Sequence, residues 1–162
     1  MRLLVPEIFE KIQEHKTEAD KVAWLQKHRD NKLMMYVLAL NFDPQYEFDL
    51  PKGNPPYKSS PVPVNMADSN LYAESRRLYL VLKNNPRRPA GLKTLQVENI
   101  FIQMLEGVNA VEAELLIALK DKALQKKYKG LTEGLVRRAF PGMLPEKQAV
   151  QKPSSETPAT AG

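Results

Sequence analysis

Between Phe42 and Ala67 the chain carries six prolines: Pro44, Pro51, Pro55, Pro56, Pro61 and Pro63. Each fixes φ near about −65° and lacks an amide donor, so neither a helix nor a sheet ladder can run through this stretch. It separates two blocks in which apolar residues recur with helical spacing. A connection longer than about 12 to 15 residues without its own secondary structure is usually functional or disordered. Here Phe42, Tyr46, Phe48 and Tyr57 interleave with the prolines, which predicts a strap laid against a core rather than a free linker.

On the N-terminal side, Pro6 suits a first helical turn and Ile8, Phe9 and Ile12 follow, predicting a helix over 6–15. Thr17 is positioned to cap a second helix that ends near His28. A third begins after Asp30 or Asn31 and is apolar almost all round, which predicts a central position. On the C-terminal side, Asp68 is a suitable cap for a long fourth helix through Leu71, Leu78 and Leu82, broken at Asn84-Asn85-Pro86. Val97, Phe101, Leu105 and Val108 mark a fifth helix. Asn109 opens a sixth, with Glu112 placed to bond back to the cap. A Lys-rich turn from Asp121 to Gly130 leads to a last helix capped by Thr132 and stopped by Pro141-Gly142. Nothing reads as a strand. The expected fold is all-α: a compact bundle of about seven helices over 1–145, with the proline-rich strap at 42–67. Trp24, Tyr36, Leu78, Phe101, Leu105 and Leu119 are expected in its core. Residues 146–162 form a tail expected to be disordered, since its end is dominated by Pro, Ser, Thr and Ala.

The 162 residues suffice for one sizeable core. No apolar run approaches the roughly 20 residues of a membrane-spanning helix, so no membrane partner is expected. Cysteine is absent, which excludes disulfides and thiolate metal sites. The opening Met-Arg-Leu-Leu-Val-Pro-Glu lacks the long apolar core of a secretory signal, so synthesis and residence inside a cell are expected.

The net charge of +5 is unevenly spread. Residues 76–93 carry six basic side chains and no acidic one, residues 94–119 carry four acidic and no basic ones, and residues 120–145 carry seven basic against two acidic. Clustered cations of this kind neutralise phosphates. The candidate nucleic-acid contacts are Arg76, Arg77, Lys83, Arg87 and Arg88 in the first block and Lys126, Lys127, Lys129, Arg137 and Arg138 in the second. Tyr72, Tyr79 and Tyr128 stand near them and can stack on exposed bases. The competing reading is a solvated surface with the tyrosines in the core.

Several phrases, taken in order, carry a resemblance: Glu7-Ile8-Phe9-Glu10-Lys11 with Lys21-Val22-Ala23-Trp24-Leu25-Gln26; Gly53-Asn54-Pro55-Pro56-Tyr57; Asn99-Ile100-Phe101-Ile102-Gln103-Met104-Leu105-Glu106; and Tyr128-Lys129-Gly130-Leu131-Thr132-Glu133 with Ala139-Phe140-Pro141-Gly142. Over roughly residues 5–145 the chain resembles an uncharacterised family of small proteins from large tailed bacteriophages, including phages of marine cyanobacteria. The resemblance implies an origin and no mechanism.

Other candidates are weaker. Pro86-Arg87-Arg88-Pro89 fits a polyproline ligand, but rigid turns use the same residues. Pro55, Pro56 and Tyr57 are a candidate partner-docking loop, or else a strap over the core. His15 and His28 lie thirteen apart with no orienting partner, so neither a metal site nor a catalytic residue is expected. Glu112 and Glu114, with Glu106, could form a carboxylate site, but a helix start explains Glu112 and Glu114 more simply. The expectation is a non-enzymatic phage accessory protein without cofactors. It would act in the host cytoplasm by binding nucleic acid or a nucleoprotein complex. The alternatives are a virion component of the capsid, neck or tail, or an inhibitor of a host protein.

Overall fold

In α1 (Val5–Glu10), Pro6 sits in the first turn and Glu7 Oε1 accepts the Leu4 N–H at 2.8 Å, closing the start of the helix. The computed structural model describes residues 3–58 and 66–145; segment 59–65 of the strap and the 146–162 tail lie outside the described residues. After a 3₁₀ turn at Lys11–Glu14 comes α2 (Glu18–Lys27), started by Thr17, whose hydroxyl accepts the Asp20 N–H at 3.1 Å. Asn31 caps α3 (Lys32–Phe42) by accepting the Met34 N–H at 3.0 Å. These starts lie where the sequence puts them, because a short polar side chain ahead of an apolar run satisfies an amide that the helix itself cannot.

The fourth helix differs from expectation. Asn70, not Asp68, caps α4, which runs only from Leu71 to Ser75 before a 3₁₀ turn at Leu78–Val81. The expected continuation to Leu82 is replaced by an extended segment, with an antiparallel bridge between Phe48 and Leu82. The Asp49 N–H donates to the Val81 carbonyl at 2.7 Å and the Lys83 N–H to the Glu47 carbonyl at 2.8 Å. Backbone groups that a helix would have used are spent on the strap. Helical spacing of side chains does not reveal such a competitor.

Four helices complete the chain: α5 (Thr94–Gly107), α6 (Ala110–Lys120), α7 (Leu124–Lys127) and α8 (Glu133–Ala139). Among the described residues there are thus eight α-helices and no strand; the extra helix, α7, forms within the expected Lys-rich turn. α2 packs on α8, and α6 packs on α5, α3 and α1. α3 has its expected central place, with Met34, Val37, Leu38 and Leu40 all fully buried. Leu78, Phe101, Leu105 and Leu119 are buried as expected. Trp24 and Tyr36 are only half-buried, and the Trp24 indole donates to the Ile8 carbonyl at 2.9 Å. An aromatic ring with a polar edge settles where one side is apolar and that edge finds a partner.

The strap covers this core. Phe48 is buried within it, and Phe42, Tyr46, Leu50 and Tyr57 pack against it.

Candidate nucleic-acid interface

The strap is held by cations from both basic blocks. Lys83 stands 3.8 Å from Glu47. Arg88 donates to Asp49 at 2.8 Å and to the Leu82 carbonyl at 3.0 Å, so it clamps the two segments that the backbone bridge joins. From the second block, Lys122 Nζ donates to the carbonyls of Asp43 and Tyr46 at 2.7 and 2.6 Å. Burial pulls the Lys122 ammonium below its usual range, and the charges of Asp43 and Glu47 oppose that. Its backbone sits in the left-handed region at φ 53°, which costs a non-glycine residue roughly 1–2 kcal/mol; the two carbonyl bonds help to offset this. The Asp43 to Asp49 segment is therefore held by cations from each block. Two charge clusters separated by the 26 residues 94–119 meet at one short segment, Asp43 to Asp49.

That meeting divides the ten candidate cations. Six are paired with carboxylates: Arg77 with Glu74, Lys83 with Glu47, Arg88 with Asp49, Lys127 with Glu114, Arg137 with Glu133 and Arg138 with Glu18. The first block lacks counter-charges along the sequence but finds them in space. Four remain without a carboxylate partner among the described residues: Arg76, Arg87, Lys126 and Lys129. The Arg76 guanidinium lies 5.2 Å from the ring centre of Tyr72, which is 61% exposed, and bonds the Tyr72 hydroxyl at 3.3 Å. The Arg87 guanidinium lies 4.6 Å over Tyr79. Lys126 and Lys129 are exposed. Tyr128, expected as a stacking platform, is buried against Phe9 with ring centres 5.4 Å apart, because it fills the space under α1. It is removed from the candidate surface.

Residues 8–126 match a family of unknown function, DUF6433. The chain belongs to that family. No curated protein and no solved structure matches it. The matched span of this DUF6433 chain takes in the whole strap, the strap-holding cations Lys83, Arg88, Lys120 and Lys122, and Arg76, Arg87 and Lys126; Lys129, Arg137 and Arg138 lie beyond it.

Sequence reasoning missed how far this DUF6433 chain spends its lysines on the strap backbone. Lys120, 6% exposed, donates to the Pro51 carbonyl at 2.9 Å and to Asp121 at 2.7 Å. Asp121 in turn accepts the Gly53 N–H at 3.3 Å, and Glu106 accepts the Lys58 N–H at 2.9 Å. The partners of Lys120 and Lys122 on the strap are carbonyls some seventy to eighty positions away, and a carbonyl carries no side-chain signature. Of the docking candidates, Pro55 and Pro56 line a groove between the strap and α5, while Tyr57 lines a separate cleft with Lys126 and Lys127.

The remaining candidates have local explanations. His15 and His28 pack on Trp24, at 5.1 and 4.5 Å between ring centres. Among the described residues no group of three or more His, Asp or Glu is placed to hold a metal ion, and no helix is long and apolar enough to cross a membrane. Glu112, expected to bond back to its own helix cap, is buried and accepts the Leu71 N–H at 3.2 Å, tying the start of α6 to the start of α4. Burial pushes its carboxyl above the usual range, against the pull of that amide.

Proposed function

We propose that this DUF6433 protein acts by binding nucleic acid, alone or within a nucleoprotein complex, and carries out no chemistry of its own. The observation that carries this reading is the convergence of both basic blocks on the Asp43 to Asp49 segment, with Lys83 beside Glu47, Arg88 on Asp49 and Lys122 on the Asp43 and Tyr46 carbonyls. The carboxylates of that segment occupy the cations that hold the strap. Arg87 and Lys126, from the same two blocks, have no carboxylate partner among the described residues and are placed to meet phosphates. The Arg76 and Arg87 stacks on Tyr72 and Tyr79 add flat cationic surfaces on which an unpaired base can lie. The resemblance to proteins of large tailed phages extends the proposal to an accessory role in the cytoplasm of an infected host.

A second reading, a protein partner in the virion or the host, draws on the groove lined by Pro55 and Pro56, at whose edge Leu95 is 68% exposed. Fluorescence anisotropy with labelled single-stranded and duplex DNA and RNA across a salt series separates the two. Contact with phosphates gives a straight line of log affinity against log salt, with a slope near about −0.9 per neutralised phosphate of duplex DNA. Arg87→Glu with Lys126→Glu flattens that line without unfolding the protein. A folded protein that binds no nucleic acid at low salt moves the function to the protein-partner reading.

A further inference from the structure

The groove beneath the strap has features that a purely apolar docking face does not need. It encloses about 370 Å³, within the range of small-ligand sites. Its walls are apolar: Leu50, Pro55 and Pro56 from the strap face Leu95, Phe101 and Ile102 from α5. Leu95, Glu98, Asn99 and Ile102 recur at i, i+3, i+4 and i+7, so they form one stripe of the helix. The strap spans this stripe. Anchors at either side, Arg88 to Asp49 and the Lys58 N–H to Glu106, with Lys120 on Pro51 and Asp121 on Gly53 between them, hold it in place.

Of the polar side chains that line the groove, Lys120 is spent on Pro51 and Asp121, but others are not. The side chains of Asn54, Glu98 and Asn99 make no hydrogen bond or ion pair with any described residue, although all three line the cavity. A carboxamide offers a donor and an acceptor side by side, the pattern that pairs with the exocyclic amine and adjacent ring nitrogen of adenine. A carboxylate accepts from an amine and repels a carbonyl edge. Lys52, exposed on the same rim, supplies a cation for a phosphate outside the cavity. Apolar walls, edge-reading polar groups and a cation at the mouth together match a base on its backbone.

We infer that the groove between the strap and α5 is a binding pocket for one unpaired nucleobase carrying an exocyclic amine, held between the proline and leucine walls and read by Asn99 and Glu98. The pocket starts at Leu50, next in the chain to the Asp49 that Arg88 holds, so the cation clamp on the strap and the cavity share one stretch of chain. The inference rests on the nucleic-acid reading for the source of the base. It deepens that reading by naming the class of base that the strap selects.

The test uses free nucleosides, which carry no phosphate and owe nothing to Arg87 or Lys126. Adenosine, uridine and N-acetyltryptophanamide are titrated into the full-length, ¹⁵N-labelled protein. Adenosine is expected to move the amides of residues 50–54 and 95–102, with a Kd of about 1 mM or tighter. Uridine, which has no exocyclic amine, is expected to bind at least about fivefold more weakly. Asn99→Ala and, separately, Glu98→Gln are expected to remove that preference while the remaining spectrum stays that of the folded protein. No movement of these amides with adenosine, or equal binding of adenosine and uridine, overturns the pocket. Tighter binding of the tryptophan mimic overturns it too, in favour of a protein side chain. Each failure leaves the salt-dependent binding at Arg87 and Lys126 standing, and loss of that binding in the double charge reversal leaves adenosine binding unchanged.

Discussion

The Lys120 ammonium, on a side chain only 2% exposed, donates to the Pro51 carbonyl at 2.9 Å. A buried lysine is tolerated when its charge is paired and its donors are used, and here Asp121 supplies the counter-charge at 2.7 Å. The strap thus gets through a charged clamp what its prolines deny it as backbone pairing.

Lys120→Ala should therefore loosen the strap before it harms the helices. Losing a hydrogen bond to a charged group is expected to cost about 1.5–3 kcal/mol. Hydrogen exchange at the Gly53 amide, which donates to Asp121, should quicken while amides of α3 stay protected. Uniform quickening in both places would show that the clamp supports the whole fold.

Phe101 is 1% exposed and lies where α5 meets the core. Phe101→Ala should cost about 3–5 kcal/mol through lost burial and the cavity left behind. Chemical denaturation measures this directly, and an unchanged midpoint would place the ring outside the core.

Tyr128 holds a hydroxyl that is buried without a hydrogen-bond partner among the described residues. Burial also pushes its phenol strongly upward in pKa, so it stays protonated at ordinary pH. Tyr128→Phe keeps the packing on Phe9 and removes an unsatisfied group, so stability should rise by about 1 kcal/mol. A clear loss of stability would mean that the hydroxyl has a partner.

Glu112 carries the pH prediction. Its folded-state pKa is raised, by burial first, so the folded protein binds this proton more tightly than the unfolded chain does. The group's contribution is most favourable below the unfolded carboxylate range. It falls as pH rises through the window up to the raised value, and the full penalty of the buried charge applies above it. Glu112→Gln keeps an acceptor for the Leu71 N–H without that charge, so the variant should gain on the wild type as pH rises above the ordinary carboxylate range. Parallel melting curves for the two proteins over that rise in pH would show no divergence if the carboxyl were solvated.

The local grammar of this chain was legible in its sequence. Thr17, Asn31, Asn109 and Thr132 start the helices they are placed to start, and α3 is central because its apolar residues surround it. These follow from chemistry within a few residues: an orphan amide takes the nearest side-chain acceptor, and apolar area leaves water wherever it lies on the helix. Tertiary structure decided everything that depended on a distant partner. It shortened the fourth helix by pairing residues 81–83 with 47–49, turned Arg88, Lys120 and Lys122 inward to hold the strap, and reduced ten candidate cations to four without carboxylates. A charge count along the chain weighs every lysine alike. Whether a cation reaches solvent or a carbonyl depends on which loop passes over it, and backbone carbonyls are the one kind of partner that every residue carries and no sequence pattern marks.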